Sequence, residues 1–312
     1  MVGQALGVDK EMTNATSSNH RAGIFWMFVT GLCFVAVTAI VKHMGTRVPP
    51  AEAAFLRYLL GLVFLLPMLK DVRNAHLTPR QWKLFGMRGL FHSGGVMLWF
   101  YAMTRIPIAD VTAINYLSPV YVTIGAAIFL GERLAMRRIA AILIALVGAA
   151  IILRPGFREI SSGHLAMMVT AVVFAGSYLT AKIMADEVKP TVVVAMLSIF
   201  VTLGLAPFAF MTWVTPSLND IGLLFIVACF ATAGHYTMTL AFAAAPVTVT
   251  QPVTFLQLVW AVLLGAIVFA EPVDIWVVLG GVLILASVSF ITWREAVLKR
   301  RPITPTTNQT KV

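Results

Sequence analysis

Ten long apolar runs, separated by short polar segments, dominate the pattern of hydrophobic and polar positions along this chain. A helix needs about 20 apolar residues to cross the hydrocarbon core of a bilayer. The apolar positions are continuous rather than alternating, which favours helices over the strands of a β-barrel. The pattern therefore predicts an all-α integral membrane protein with ten transmembrane helices. The runs cover approximately residues 22–42, 51–70, 82–104, 109–131, 137–154, 163–182, 190–213, 219–242, 248–270 and 275–293.

The last five runs repeat the first five, at an offset of 140 residues and then, after one gap, of 139. Identical residues at matched positions include Gly23/Gly163, Phe34/Phe174, Lys42/Lys182, Gly95/Gly234 and Glu132/Glu271. An odd number of spans per copy makes the second copy cross the membrane in the opposite sense, and inverted repeats are a common plan of secondary transporters. We therefore expect an N-terminal tail (1–21), a first repeat (22–154), a linker (155–162), a second repeat (163–293) and a C-terminal tail (294–312).

Composition and charge agree with a bilayer environment and set the expected topology. Hydrophobic residues make up 59% of the chain and charged residues only 12%, while the net charge is +10. Most basic residues fall on the side of the membrane that carries the N-terminus, so the positive-inside rule places both tails in the cytoplasm. Because the basic residues are scattered over short loops and form no single patch, they argue against a nucleic-acid partner. We expect them to face the anionic lipid of the bilayer instead.

Two matched lines of polar and aromatic residues lie on the fourth and ninth spans. The first contains Thr112, Asn115, Ser118 and Tyr121, and the second contains Gln251, Thr254, Gln257 and Trp260. Steps of three residues drift around a helix by about 60° each, so that each line covers up to half of the circumference. Such a width suits the wall of a cavity. The alternative is that these side chains hydrogen-bond to neighbouring helices as packing contacts.

Other polar and aromatic residues within the spans complete the set of candidate substrate-binding residues. His92 and His235 are intramembrane ionisable groups, which are functional candidates by default, although a single histidine more often packs through hydrogen bonds than carries protons. The full candidate set comprises Phe34, Thr38, His92, Trp99, Asn115, Tyr116, Ser118, Tyr178, His235, Gln251, Thr254, Gln257 and Trp260.

Charged residues at the span ends are candidates for gating. Lys42 and Lys182 close equivalent spans at opposite faces, where they either snorkel to the interface or attract anionic groups to the two mouths. We interpret Arg57, about two turns into the second span, as snorkelling outward. None of the 13 acidic residues lies near the centre of a span. Since proton- and sodium-coupled carriers commonly use a buried carboxylate, this favours a uniporter, an exchanger or coupling through histidine.

Signatures of soluble enzymes are missing from the sequence. It contains no GxxxxGK[ST], HExxH or GxSxG motif and no clustered Cys/His set with metal-ligand spacing. We therefore expect no catalytic residue, no metal and no cofactor. Two alternatives stay open: an embedded enzyme that uses His92 or His235 on a lipid-linked substrate, and a regulatory membrane subunit that transports nothing.

Several short motifs resemble those of a known family. They are Phe55-Leu56-Arg57-Tyr58, the segment 102–107, Gly131-Glu132-Arg133-Leu134 and Ala270-Glu271-Pro272, where Ala270 replaces a frequent glycine. With ten spans in two fives, the chain resembles the EamA branch of the drug/metabolite transporter superfamily. The resemblance implies a central cavity that opens alternately to each side. It also implies that spans one, three, four, six, eight and nine line this cavity, with five and ten at the periphery.

The expected function is secondary transport of a small organic metabolite across a bacterial cytoplasmic membrane. Aromatic and amide groups suit a neutral or zwitterionic ligand with a planar part, in the order riboflavin-like, S-adenosylmethionine-like and aromatic amino-acid-like. Because the two repeats are fused, no antiparallel dimer is required, and a monomer and a homodimer both remain open. The direction of transport and the coupling ion are not readable from the sequence.

Overall fold

Ten long helices form a bundle in the part of the chain that the structure describes. The structure, a computed structural model, describes residues 19–131, 135–184, 187–245 and 247–299. In chain order the helices are α1 (His20–Met44), α2 (Pro50–Arg73), α3 (Pro79–Met103), α4 (Ile108–Leu130), α5 (Met136–Leu153), α6 (Ser162–Met184), α7 (Pro190–Met211), α8 (Leu218–Ala244), α9 (247–269) and α10 (Ile275–Lys299). The all-α class and the ten predicted spans are confirmed, with ends that differ by a few residues.

Apolar composition identifies nine of the ten described helices as candidate membrane spans. The remaining helix, α3, has the same length as α1, 25 residues, but its first turns carry Arg80, Lys83 and Arg88. Positive charges at this end of a span are consistent with the basic side of a membrane protein.

The two repeats run in opposite directions. The start of α1 lies against the end of α8, where Gly23 approaches Ala245, and Arg47 just after α1 reaches Asp220 in the first turn of α8 at 3.3 Å. In the same way, α3 and α6 are antiparallel, because the Tyr101 hydroxyl near the end of α3 donates to Ser162 at the start of α6. Since α1 and α3 cross the bundle in the same sense, α1 and its equivalent α6 are inverted. We call the end of the bundle where α1 and α3 finish the Lys42 end, and the opposite end, where α1 and α3 begin, the Arg80 end.

Equivalent contacts hold the repeats together. The ring of Phe174 on α6 lies over Gly95 on α3, and the ring of Phe34 on α1 lies over Gly234 on α8. A β-carbon at Gly95 would lie 2.5 Å from the Phe174 ring, and one at Gly234 would lie 3.3 Å from the Phe34 ring. Small residues let helices approach this closely. Each Phe–Gly contact therefore joins the first span of one repeat to the third span of the other.

A proline interrupts the fourth helix of each repeat. The helix α4 breaks between Asn115 and Ser118, because Pro119 has no N–H to donate to the carbonyl of Asn115. The helix α9 contains a 3₁₀ segment, Gln251–Thr254, around Pro252. The two breaks meet, and the Tyr116 hydroxyl donates a hydrogen bond to the Thr254 carbonyl at 2.7 Å.

Equivalent helix ends in the two repeats differ in backbone strain. Gly131 ends α4 with φ 69°, and Ala270 ends α9 with φ 52°, so that an alanine adopts the left-handed conformation in the second repeat. We expect Ala270→Gly to raise the free energy of unfolding by about 0.5–1 kcal/mol, because the left-handed penalty exceeds the added freedom of the unfolded chain. Gly131→Ala should lower it by a similar amount. Thermal melting of the purified protein tests both, and a lower melting temperature for Ala270→Gly would contradict this account of the strain.

Candidate functional site

A cavity of about 260 Å³ lies between the two repeats, and we call it the central cavity. Side chains from eight helices, α1 to α4, α6 and α8 to α10, contribute to its wall. The residues of this wall are Met27, Thr30, Gly31, Phe34, Arg57, Tyr58, His92, Val96, Trp99, Asn115, Tyr116, Ser118, Pro119, Phe174, Tyr178, His235, Met238, Phe242, Thr254, Gln257, Leu285 and Val288.

Most of the candidate residues from the sequence meet at this cavity. Those that line it are Phe34, His92, Trp99, Asn115, Tyr116, Ser118, Tyr178, His235, Thr254 and Gln257. The middle members of the two polar lines therefore face each other across the space between α4 and α9. Binding of a substrate by these residues stays a prediction.

Three outer members of the polar lines, Thr112, Tyr121 and Trp260, lie outside the wall of the central cavity. Thr112 donates back to the Ile108 carbonyl at 2.9 Å, and Tyr121 packs against the hydrophobic core. Trp260 makes an edge contact with Phe28, and its indole N–H is buried without a described partner. Because each step of three residues rotates the side chain further around the helix, the ends of a line cannot share the face of its middle.

Two further candidates have other surroundings. Thr38 lies one turn beyond Phe34 on α1 and donates to its carbonyl at 3.0 Å, outside the cavity wall. The side chain of Gln251 lies outside the described residues.

Each histidine of the cavity lies against a phenylalanine of the repeat contacts. Phe34 meets His235 edge to face with ring centroids 5.2 Å apart, and Phe174 meets His92 at 4.9 Å. His92 also bridges three helices, because its Nδ1 is 3.2 Å from the Ser177 hydroxyl and its Nε2 is 3.0 Å from the Tyr58 hydroxyl. These contacts fit a packing role for His92 while its ring still reaches the cavity.

Arg57 lies in the wall of the central cavity and does not reach outward to the membrane interface. The snorkelling interpretation is wrong, because Arg57 is 8% exposed and lines the central cavity, with its guanidinium carbon 3.9 Å from the centre of the Tyr58 ring. Tyr58, its neighbour in the same motif, was also missed. The position of Arg57 two turns inside an apolar span is compatible with a place in a cavity, because a charged group there requires a polar environment.

The helices around the wall also differ in part from those implied by the family resemblance. The helix α10 contributes Leu285 and Val288, and α2 contributes Arg57 and Tyr58. The helix α5 lies outside the wall, as expected, and packs on α10, where Gly148 meets Gly280.

Polar atoms without hydrogen-bond partners lie at the break in α4. Within the described part of the chain, the Asn115 side-chain oxygen and the Ser118 hydroxyl are buried without a partner, and both residues line the central cavity. Buried polar groups are normally hydrogen-bonded, and an unpaired one destabilises the fold. Such atoms on a cavity wall are positioned to bind a polar ligand.

A second cavity, of about 290 Å³, adjoins the central cavity. The two share Pro119, Tyr178 and Val288. The rest of its wall lies one or two turns further along α4 and α10, at Val122, Thr123, Ile291 and Thr292. Both helices run toward the Arg80 end at this point, so the adjoining cavity extends the central cavity in that direction.

Ion pairs join the repeats at the Lys42 end. Lys42 pairs with Glu271 and also donates to the Ile106 carbonyl at 2.8 Å, while Glu271 accepts from the backbone N–H of Ile108 at 3.0 Å. A second cluster contains Asp110, whose carboxylate lies 2.7 Å from Arg158 and 2.8 Å from His164. These contacts join the two repeats beyond the central cavity, on the side of the Lys42 end. The side chain of Lys182, the equivalent of Lys42, lies outside the described residues.

At the Arg80 end, the contacts between repeats are more exposed. Arg80 pairs with Glu187 at 2.7 Å, with 61% and 35% of the two side chains exposed. The hydrogen bond from Arg80 holds the pKa of the Glu187 carboxyl below its usual range. Exposed pairs of this kind contribute little to stability.

Sequence comparison places these features in a known family. Residues 21–154 and 161–293 each match the EamA-like transporter family, so that one match falls on each repeat. The chain belongs to the EamA-like transporter family. It is therefore a multi-pass membrane transporter with the two-repeat EamA architecture that its inverted helices show.

Named relatives match nearly the whole chain. A riboflavin transporter of Vibrio cholerae is 29% identical over 286 residues, which cover 89% of this chain and 95% of the relative. A riboflavin transporter of Rhizobium johnstonii is 29% identical over 302 residues, 94% of this chain and 99% of the relative. An S-adenosylmethionine uptake transporter of Rickettsia prowazekii is 26% identical over 291 residues, 90% and 96% of the two chains.

A solved structure shares the fold of this chain. One crystal structure, 18% identical in sequence, superposes with a TM-score of 0.60 over 89% of this chain and 99% of its own length. At this identity the likeness shows the shared fold alone.

Proposed function

We propose that this transporter moves a small organic metabolite with a planar part by alternating access, and that riboflavin is the first substrate to test. One observation carries the proposal: a cavity between inverted repeats combines aromatic faces with buried amide and hydroxyl groups that have no described partner. Planar ligands stack on such faces, and a few placed polar groups fix their orientation. Relatives named as riboflavin transporters support the choice of probe.

The roles that we propose for the wall follow from its chemistry. Phe34, Trp99 and Tyr178 provide rings for stacking on three different helices. Asn115, Ser118 and Gln257 provide donors and acceptors from the two broken helices. Thr38 and Trp260 support this wall from one turn away, and Lys42 acts at the closed end.

The sidedness that we propose combines charge with geometry. If the positive-inside rule holds, both tails are cytoplasmic and the Lys42 end faces outward in a bacterial inner membrane. The ion pairs then close the outer side, and the two adjoining cavities extend toward the cytoplasm. We propose that this arrangement is an inward-facing state of the transport cycle.

A role as an enzyme is the weaker candidate. The two ring nitrogens of His92 lie within hydrogen-bond distance of Ser177 and Tyr58, which fits a packing role for this ring. We propose that both histidines belong to the binding wall rather than to a catalytic group.

Riboflavin flux into proteoliposomes tests the proposed function. We expect saturable, protein-dependent uptake down a riboflavin gradient, faster exchange when the lumen already contains riboflavin, and competition by other planar compounds. Protein-free liposomes are the control for passive entry. If riboflavin, S-adenosylmethionine and the aromatic amino acids all show no saturable flux, the proposal is wrong.

A further inference from the structure

An unpaired positive charge faces the central cavity. Arg57 lies on α2 with 8% of its surface exposed, and the ring of Tyr58 is the partner that the structure gives its guanidinium group. No carboxylate pairs with Arg57 in the described ranges, and no described residue of the cavity wall is Asp or Glu. The guanidinium therefore has several N–H donors available to whatever occupies the cavity.

Such an arrangement is costly without a negative partner. Arginine stays protonated in proteins, so that it cannot avoid the cost of burial by losing its charge. Ionisable groups within membrane spans pair with one another, bond to carbonyls or face an aqueous cavity. The contact with Tyr58 offsets only part of the lost hydration, because a cation–π interaction leaves the guanidinium edge without hydrogen bonds.

A second buried cation, Arg88, lies close to the central cavity. Arg88 on α3 is also 8% exposed, donates to the Val193 carbonyl at 3.1 Å, and keeps its Nε without a described partner. Arg88 lies one helical turn before His92 on the same helix, and His92 lines the cavity. A second buried cation therefore lies close to the wall that carries Arg57.

The other residues of the cavity wall indicate which chemical groups the rest of the ligand carries. Trp99, Phe174 and Tyr178 present aromatic faces, and the Asn115 and Ser118 oxygens lie buried without described partners. An ammonium group would find no carboxylate among the described lining residues. The wall is consequently suited to a planar body with a negative group, and less suited to a ligand with a fixed positive charge.

We infer that Arg57 binds an oxyanion of the substrate, a carboxylate or a phosphate, and that the site selects planar organic anions over their neutral counterparts. This rests on the proposed function and narrows its substrate class. The guanidinium group of an arginine binds a carboxylate or a phosphate through two parallel hydrogen bonds, in a bidentate geometry. A lysine ammonium group cannot form this pair of bonds.

Matched ligand pairs test the inference on the full-length protein in detergent. The first pair is indole-3-acetate and indole-3-acetamide, and the second is riboflavin 5′-phosphate and riboflavin, each measured by isothermal titration calorimetry. We expect the ionised member of at least one pair to bind at least tenfold more tightly. A preference in the first pair alone identifies a carboxylate site, and in the second alone a phosphate site. Preference in both indicates a general oxyanion site.

Variants of Arg57 locate the source of the preference. Arg57→Gln should reduce the difference within a pair to less than about twofold, and Arg57→Lys should retain part of it because the charge remains. Arg80→Gln, which removes an exposed arginine outside the cavity, should leave the preference unchanged. Because the preference is measured first on the unaltered protein, the test does not depend on the folding of Arg57→Gln.

Three results would overturn the inference: equal affinity within both pairs, binding by none of the four compounds, or a preference that survives Arg57→Gln. A measurement of riboflavin flux distinguishes failure of the oxyanion inference from failure of the proposed function. Flux without any charge preference removes the oxyanion site and leaves the transporter of planar metabolites in place. A preference for anions without riboflavin flux retains the site and rejects riboflavin as the substrate.

Discussion

Lys42→Met should slow transport by at least about tenfold, and the added change Glu271→Gln should restore much of the rate. The side chains of the Lys42–Glu271 pair are only 18% and 11% exposed. Removing one partner leaves a largely buried charge, which destabilises the conformation that contains it by about 3–5 kcal/mol. Glutamine at 271 removes the second charge and still accepts the N–H of Ile108. Initial rates in proteoliposomes measure the effect.

The exposed pair at the other end of the bundle provides the matched control. Arg80→Gln should change the rate by less than twofold, because the Arg80–Glu187 pair is open to water and contributes little. If the double variant Lys42→Met/Glu271→Gln is no faster than Lys42→Met alone, the pair does not stabilise a closed state. Melting temperatures of the unaltered protein, the two Lys42 variants and Arg80→Gln distinguish a shifted conformational equilibrium from a general loss of stability.

Asn115→Ala and Gln257→Ala should each lower substrate affinity by about tenfold, with little change in melting temperature. Both side chains line the central cavity, and the Asn115 oxygen is buried without a described partner, so that a bound ligand supplies the missing hydrogen bond. Leaving a polar group of the ligand unpaired in such a site costs about 1–3 kcal/mol. Concentration-dependent uptake measures the affinity through the half-saturating concentration.

A neighbouring residue on the same helix is the control for packing. Thr112 is buried on α4 but turns away from the cavity, so Thr112→Val should leave flux within about twofold of the unaltered protein. The opposite result, in which Asn115→Ala and Gln257→Ala lower stability and leave uptake unchanged, would favour a structural role for both polar lines.

The positions of the spans and part of the wall could be predicted from sequence because each depends on local pattern. Long apolar runs define helices, and Pro119 and Pro252 mark where α4 and α9 break. The offset between the repeats predicts that Asn115 and Gln257 lie on matched polar lines that form the wall of one cavity. These predictions need only helical geometry and the internal comparison of the two copies.

Contacts between distant segments could not be predicted in this way. The partner of Lys42 is Glu271, and nothing in the pattern around either residue selects the other. Arg57 presents a different difficulty, because a long side chain two turns from a helix end reaches either the interface or the interior. Only the packing of α2 against the neighbouring helices decides its direction, and that packing places it in the cavity.

The paired contacts of Phe34 with Gly234 and of Phe174 with Gly95 make the two repeats mutually complementary. Each repeat contributes one phenylalanine ring and one glycine surface, and each ring packs on the glycine of the other repeat. Two five-helix units with both elements therefore fit together in opposite orientations. Because one chain carries both units, their ratio is fixed at one to one, and their cavity walls can carry different side chains, such as Asn115 and Gln257.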